Sequence, residues 1–115
     1  MKTHCKACLV VRQEKDGLRR YAHLGTGNYN PKTARLYTDF SLFTADEEVT
    51  ADVGLLFNVL TGNLAKPKFK HLLVAPFDLH RGIIDLINAE ASAAQHGRKA
   101  GIFAKVNSLV DPDVI

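Results

Sequence analysis

A histidine and a lysine stand two residues apart near the start of the sequence, in Lys2-Thr3-His4-Cys5-Lys6. Residues two apart on a β-strand project to the same face, so we expect the side chains of His4 and Lys6 to point together. The imidazole can attack phosphorus to form a phosphoramidate, and the ammonium can neutralise oxygen charge in the transition state. The pair therefore suits phosphoryl transfer. Alone, such a pair is more often an ordinary surface histidine and lysine on an edge strand.

A glycine-rich segment, Gly25-Thr26-Gly27-Asn28-Tyr29-Asn30, offers groups that bind anions. Glycine lets backbone N–H groups approach an anion closely, and Thr26, Asn28 and Asn30 add neutral side-chain donors. The segment lacks the Gly-Lys-Ser/Thr ending of a Walker A loop. Alone, it is more often a structural turn than a binding site.

Four further side chains flank this loop, and the sequence leaves two readings open for each. A hairpin would bring His23 into the same pocket as His4, although a structural, hydrogen-bonded histidine fits equally well. Lys32, Arg35 and Tyr37 could hold a nucleotide, with the tyrosine stacking on the base. The alternative for these three is a solvated basic turn next to a core tyrosine.

Two cysteines, Cys5 and Cys8, raise the possibility of a metal site. Zinc would need a second ligand pair at comparable spacing, and on a strand these two positions face opposite sides. We therefore expect no metal ligands among them. Two cysteines near one end fit a reducing compartment better than a disulfide scaffold.

The composition is that of an ordinary globular protein, with 115 residues, 46% apolar residues and a formal charge of +3. A mildly basic balance fits a phosphate-binding protein but also many unrelated domains. No apolar run approaches the roughly 18–20 residues of a membrane span, and the N-terminus lacks a signal-peptide layout. A cytoplasmic location is the expectation.

Apolar periodicity and turn residues predict the elements that must hold these side chains. Asp16-Gly17 between two apolar runs predicts a β-hairpin. The predicted elements are strands at Thr3–Val11, Leu18–Leu24 and Tyr37–Phe43, a short helical turn from Pro31, a helix from Thr44 or Asp46 to about Leu60, a linker at Ala65–Lys70, a strand at Leu72–Ala75, a helix from about Asp78 to His96 and a strand at Ile102–Asn107. Because helix and strand alternate in the second part, we predict an α/β fold with parallel sheet there, with α+β as the alternative.

Taken together, these motifs resemble a known family. An H-x-K on one strand followed by a G-[ST]-x-N loop after the next resembles the half-site of the phospholipase D superfamily, in which the histidine accepts the phosphoryl group. The longer runs 2–6, 20–30 and 32–39 resemble polyphosphate kinase of the histidine-phosphorylating type. The resemblance extends over nearly the whole chain through Ser41–Asp46, Leu73–Pro76 and Asn107–Asp111.

The resemblance implies an ATP:polyphosphate phosphotransferase. His4 would take the terminal phosphate of ATP and pass it to polyphosphate, or the reverse, while Lys6 and Asn28 bind the transferring oxygens. His23 would support catalysis, and Tyr37 matches a position associated with nucleotide binding. The other positions expected to contact phosphate or nucleotide are Thr26, Asn30 and Arg35. Mg²⁺ would accompany ATP, with its ligands expected outside this sequence.

The resemblance also implies a longer enzyme, and both ends of the sequence look abrupt. Residues 1–66 would be the C-terminal part of a first phospholipase D-like catalytic domain, and residues 67–115 the beginning of a second. Such a domain has a half-site sheet with flanking helices. The second histidine half-site and the metal-associated arginines of the family have no counterpart here, so we expect the isolated chain to be inactive.

The expected partners are ATP, ADP and inorganic polyphosphate, without nucleic acid. The parent enzyme is expected to be a cytoplasmic homo-oligomer without a membrane span, and its association with a membrane surface is left open. Two alternatives stay open at this point. One is a phospholipase D-type phosphodiesterase or nuclease half-site, and the other is a non-catalytic anion-binding fragment.

Overall fold

A computed structural model describes residues 2–63 and 67–115 of the chain. It divides into two compact units, Met1–Leu72 and Leu73–Ile115, which are described separately. The first unit contains β1 (Lys6–Glu14), β2 (Gly17–Gly25), α1 (Pro31–Ala34), β3 (Ser41–Thr44) and α2 (Glu47–Leu60). The second unit contains α3 (Leu79–Gln95).

The predicted hairpin is confirmed, because β1 and β2 pair antiparallel from Lys6↔Gly25 to Glu14↔Gly17. Gly17 has a φ of 131°, which a residue with a side chain rarely adopts, and it closes the turn. The prediction placed the start of β1 too early, at Thr3. His4 therefore lies just before the strand rather than within it.

β3 adds to the free edge of β2, antiparallel from Ala22↔Thr44 to Gly25↔Ser41, so that the strand order is β1-β2-β3. The predicted third strand began too early, at Tyr37. Just before β3, the Phe40 N–H donates to the Thr26 hydroxyl at 3.0 Å, and the Phe40 carbonyl accepts from the Thr26 N–H at 3.1 Å. The Phe40 N–H group thus binds a side-chain hydroxyl where a β-strand would bind a backbone carbonyl. Residues 37–40 therefore form a connection from α1 to the sheet and not a strand.

The predicted helix after β3 is confirmed, and Asp46 rather than Thr44 caps it. The Asp46 carboxylate accepts the N–H groups of Glu48 at 3.0 Å and Val49 at 2.9 Å, which satisfies donors that the first turn leaves unpaired. α2 packs against β1 and β2. Its fully buried residues include Val53, which with Leu56 and Ala22 forms the core of the unit.

A buried carboxylate on α2 anchors the segment that follows the helix. Asp52 is 5% exposed, and its carboxylate accepts the backbone N–H groups of Lys70 at 2.9 Å, His71 at 2.6 Å and Leu72 at 2.9 Å. One turn earlier, Glu48 binds the side chains of Lys70 and His71. Part of the predicted linker, residues 65 and 66, lies outside the described residues.

We predict that Asp52→Asn lowers the free energy of unfolding by about 1–3 kcal/mol, because an amide cannot accept all the N–H groups that the carboxylate accepts. Burial disfavours ionisation of Asp52, but the N–H groups of His71, Leu72 and Lys70 outweigh it and lower its pKa. A lowered folded-state pKa stabilises the fold above the unfolded-state pKa of about 3.9, and this stabilisation is lost as pH falls through the folded value.

Urea unfolding followed by circular dichroism from about pH 7 to about pH 3 measures both effects. Asp16→Asn is the matched control, since Asp16 lies in the exposed hairpin turn and Asn-Gly also forms such turns. Equal acid sensitivity of the parent chain and Asp52→Asn would contradict the prediction.

In the second unit, the predicted long helix is confirmed as α3, which ends before Gly97 at a φ of 68°. The predicted strand at Leu72–Ala75 is wrong, because the Val74 N–H donates to the Asp78 carboxylate at 2.5 Å and the chain turns there. The predicted strand at Ile102–Asn107 is also wrong. Phe103 is 98% exposed, and no described segment pairs with these residues as a strand.

The parallel sheet predicted for the second part is therefore absent from residues 73–115, because a strand forms only where a neighbour pairs with its backbone N–H and C=O groups. The described fold is a mixed α and β structure with a three-stranded antiparallel sheet, which agrees with the α+β alternative. No helix in the described part of the chain is long and apolar enough to span a bilayer.

Candidate functional site

The histidine and lysine singled out by their spacing are in contact. The Lys6 Nζ atom lies 3.2 Å from His4 Nδ1 and 3.1 Å from Nε2. An ammonium only donates hydrogen bonds, so it interacts with the lone pair of an unprotonated ring nitrogen. Because it is nearly equidistant from both nitrogens, it stays within reach of an oxygen bonded to whichever one reacts. His4 is exposed, so a solvent-borne substrate can reach it.

The sheet register places this pair beside the glycine-rich loop. Lys6 is the first residue of β1 and pairs with Gly25, the last residue of β2. The loop continues from Gly25 to Asn30, where α1 begins. The structure thus brings together Lys6, the predicted nucleophile His4 and the predicted anion-binding segment at one end of the hairpin.

The loop is held in place by Thr26. Its hydroxyl donates to the Asp39 carboxylate at 2.8 Å and accepts from the Phe40 N–H at 3.0 Å. The sequence pattern pointed to Thr26 as a phosphate donor, but both functions of its hydroxyl are engaged within the protein. Asp39 belongs to the run of residues that resembles the family, but the sequence analysis gave it no role. Its contact with Thr26 spans 13 positions, and no local sequence pattern predicts such a contact.

Gly27 lies directly under the Asp39 carboxylate. A Cβ built on Gly27 would be 2.2 Å from Asp39 Oδ2 and 2.5 Å from its Cγ. Only a residue without a side chain allows this approach, so the second glycine of the loop is required by packing as well as by any anion. Asn28, the next residue, is exposed.

The segment after the loop is fixed by Asn30, which caps α1. Its side-chain oxygen accepts the N–H groups of Lys32 at 2.9 Å and Thr33 at 3.3 Å, and proline at the first helical position fits this start. Arg35 ends α1, and Tyr37 follows it with 58% exposure. The cations and Tyr37 therefore lie on the surface, where a nucleotide could reach them.

His23 is held on three sides. Its Nδ1 atom lies 2.6 Å from the Tyr29 hydroxyl, its ring lies 4.4 Å from the Phe43 ring, and a Cβ on Gly25 would be 3.2 Å from its Cε1. No hydrogen bond joins His23 to His4 among the described residues. The prediction that these two histidines share a pocket stays a prediction.

The Tyr29 partner of His23 was not identified from the sequence. The pKa of its phenol is raised, chiefly because the hydroxyl is partly withdrawn from water and further because the Cys8 and Cys5 thiols lie near it. The Tyr29 hydroxyl therefore stays protonated across the neutral range and can donate or accept a hydrogen bond. Both cysteines are free and exposed.

One group of described side chains has the ligand types of a metal site. The group whose ligand atoms lie close enough to hold a metal is His80, Asp111 and Asp113, in the second unit. The His80 Nε2 atom already lies 3.5 Å from Asp111 and 3.3 Å from Asp113, and imidazole is a poor ligand for magnesium, which prefers oxygen. We therefore assign no magnesium ligand to the described residues.

A cleft of about 250 Å³ lies elsewhere, between the hairpin turn and the start of α2, with Arg19, Arg20 and Glu47 in its lining. It lies at the opposite end of the hairpin from Lys6. None of the predicted site residues lines it. The chemistry of the site beside Gly25 is judged from its residues.

Comparison with known families gives matches over both parts of the chain. Residues 1–66 match the family model described as Polyphosphate kinase C-terminal domain 1. Residues 72–115 match the model described as Polyphosphate kinase C-terminal domain 2. Only residues 67–71 fall between the two matches.

Individual proteins are similar over the same range. The sequence is 54% identical over 115 residues to the polyphosphate kinase of Mycolicibacterium gilvum, covering 100% of this chain and 16% of that protein. It is 53% identical over 115 residues to the polyphosphate kinase of Neisseria meningitidis serogroup B, covering 99% of this chain and 17% of that protein. The crystal structure of polyphosphate kinase from Porphyromonas gingivalis is similar with a TM-score of 0.74 and 35% identity, covering 84% of this chain and 16% of that chain. The chain spans about a sixth of the length of these proteins.

Proposed function

Because the chain belongs to the polyphosphate kinase family, we propose that it forms the part of such an enzyme in which a histidine accepts the phosphoryl group. The proposed reaction is the reversible transfer of the terminal phosphate of ATP to inorganic polyphosphate through a phosphohistidine at His4. The observation that carries the proposal is the contact between His4 and Lys6 beside the glycine-rich loop.

The proposed chemistry has two steps. A ring nitrogen of His4 attacks the terminal phosphorus of ATP, so that an N–P bond forms, the P–O bond to ADP breaks and ADP leaves. The terminal oxygen of polyphosphate then attacks the same phosphorus, and the electron pair of the N–P bond returns to the imidazole. Lys6 stabilises the charge on the transferring oxygens in both directions. Magnesium bound to ATP would neutralise further phosphate charge.

In this proposal some loop side chains bind phosphate directly, and others hold the backbone of the loop in place. Asn28 is exposed beside the loop and is proposed to bind a phosphate oxygen together with Lys6. Thr26 and Asn30 are proposed to act on the phosphate through the backbone that they hold, because their side-chain oxygens bind within the protein. His23 is proposed to support the transfer.

A nucleotide is proposed to lie on the surface that follows α1. Arg35 would bind its phosphates, and the exposed Tyr37 ring would stack on its base. An exposed aromatic side chain is costly to hydrate and gains contact area when a base covers it. The expected nucleotides are ATP in one direction and ADP in the other.

The chain is proposed to work within a longer polypeptide. Residues 1–66 would complete a first phospholipase D-like catalytic domain, and residues 67–115 would begin a second one. The parent enzyme is proposed to be a cytoplasmic homo-oligomer. On this view the isolated chain carries the nucleophile but does not turn over, because an acid or base opposite His4 has to come from elsewhere in the enzyme.

Two other functions were open from the sequence. A phospholipase D-type phosphodiesterase or nuclease is not favoured, since the matched families and relatives are described as polyphosphate kinases. Anion binding without turnover remains the expected behaviour of the isolated chain. It agrees with the main proposal and does not compete with it.

A chimaera tests the proposal. In the Mycolicibacterium gilvum enzyme, the stretch that matches this chain is replaced by the chain itself, and the product is incubated with ATP labelled at the terminal phosphate. We expect an acid-labile, alkali-stable label on the protein and ATP-dependent growth of polyphosphate, whereas the isolated chain gives no turnover. Release of nucleotides from nucleic acid or of phosphatidic acid from lipid, without polyphosphate synthesis, would favour the diesterase instead.

A further inference from the structure

The two ring nitrogens of His23 lie beside different residues of the loop. Its Nδ1 atom is 2.6 Å from the Tyr29 hydroxyl, and this short distance indicates a strong hydrogen bond. The Cε1–Nε2 edge of the ring lies over Gly25, where a Cβ would be 3.2 Å from Cε1 and 3.7 Å from Nε2. Nε2 is therefore the nitrogen that lies beside the first residue of the loop.

Two aromatic rings lie beside the imidazole. The Phe43 ring centroid is 4.4 Å from that of His23 at an interplanar angle of 41°, and the Tyr29 ring is 5.4 Å away at 42°. Phe43 reaches this position because it pairs with His23 in the register of β2 and β3. A ring flip would exchange the two nitrogens and lose the bond to Tyr29.

The tyrosine decides which nitrogen of His23 carries the proton. A neutral imidazole has one N–H and one lone pair, and the hydrogen bond at one nitrogen fixes the state of the other. The Tyr29 hydroxyl can donate to Nδ1 or accept from it. Where it donates, it occupies the lone pair of Nδ1, and the proton of the neutral ring is on Nε2. That N–H group then lies next to Gly25, which pairs with Lys6.

We propose that the Tyr29 hydroxyl donates to Nδ1 of His23. Tyr29 is then a positioning residue that holds His23 as the Nε2–H tautomer, so that His23 donates a hydrogen bond to a phosphate oxygen at the glycine-rich loop. The ligand class is the phosphate chain of a nucleotide or of polyphosphate. This inference rests on the proposed function for the identity of the ligand. The tautomer itself depends on the direction of the Tyr29–His23 hydrogen bond and not on the identity of the ligand.

The first arm of the test needs no activity. The full chain is labelled with ¹⁵N-histidine, and long-range ¹H–¹⁵N correlation spectra report which nitrogen of each ring is protonated, with His23→Gln assigning the signals of His23. We expect Nε2–H for His23 at neutral pH and a shift toward a mixture of tautomers in Tyr29→Phe. Tyr21→Phe is the matched control, since its hydroxyl binds Glu14 in the same hairpin and its loss should leave the His23 signals unchanged.

The second arm uses the chimaera described above. Tyr29→Phe is expected to lower kcat by about tenfold, the loss of one oriented hydrogen bond to a charged group, with little change in the KM for ATP. In a His23→Ala background the same substitution should have no further effect.

A parent spectrum with the proton on Nδ1 would overturn the proposal, as would an unchanged kcat in an active Tyr29→Phe chimaera. A chimaera that is inactive before any substitution contradicts the proposed function, and the spectra of the chain then decide the tautomer by themselves.

Discussion

Replacing His4 with alanine in the chimaera is expected to remove the phosphohistidine label and to lower polyphosphate synthesis by at least about 10³-fold, the scale seen when a covalent nucleophile is removed. Neither step of the proposed reaction can proceed without a ring nitrogen at this position. Lys6 cannot substitute, because an ammonium has no lone pair to attack phosphorus. The measurement is protein-bound label after incubation with terminally labelled ATP, together with the rate of polyphosphate formation.

His96→Ala is the matched control for His4→Ala. His96 is also an exposed histidine, but it follows α3 in the second unit, where its Nδ1 atom lies 2.7 Å from the Ser92 carbonyl oxygen. The control should keep both the label and the rate. Label that survives in His4→Ala and disappears in His23→Ala would move the nucleophile to the second histidine and refute the assignment.

The parts of the fold that could be predicted depend on short-range signals. Asp16-Gly17 indicates a hairpin by itself, and Asp46 before an apolar helical period indicates a helix start. The contact between His4 and Lys6 joins residues only two positions apart, although His4 lies before β1 and not on it as the prediction assumed. In each case the deciding interactions involve residues close together in the sequence, so the pattern contains them.

The contacts that hold the candidate site in place could not be predicted from such short-range patterns. Thr26 meets Asp39 and Phe40 only because β3 returns along β2, and Tyr29 meets His23 only because the loop folds back. These side chains have no spacing rule that connects them. The sequence could therefore point to the nucleophile and the loop but not to the contacts that fix them.

The errors in the second unit have a different cause. An apolar run such as Ile102–Asn107 indicates a strand only when another segment is available to pair with it. Apolar periodicity describes one segment at a time and contains no information on such a partner. The helix α3 was predicted correctly because its hydrogen bonds lie within the segment itself.

The second large effect is expected from Gly27→Ala, which should lower the activity of the chimaera by about 10²-fold, because small displacements of a positioned group have effects of that size. The new methyl group would sit 2.2 Å from Asp39 Oδ2. The Asp39 side chain is short and is held by the Thr26 hydroxyl at 2.8 Å, so the clash is relieved only by moving the loop or by breaking that bond. We expect either change to displace Asn28, which we propose binds the transferring phosphate.

A double-mutant cycle separates this clash from other causes of lost activity. Asp39→Ala removes the carboxylate that Gly27→Ala would strike, so in that background Gly27→Ala should change the rate within only about twofold. Gly54→Ala controls for the substitution itself, since the nearest atom to its added Cβ, Leu9 Cδ2, is 3.9 Å away and alanine favours a helix. If Gly27→Ala lowered activity equally in both backgrounds, the glycine would be needed for the approach of the phosphate itself, and the Thr26–Asp39 contact would not be what shapes the loop.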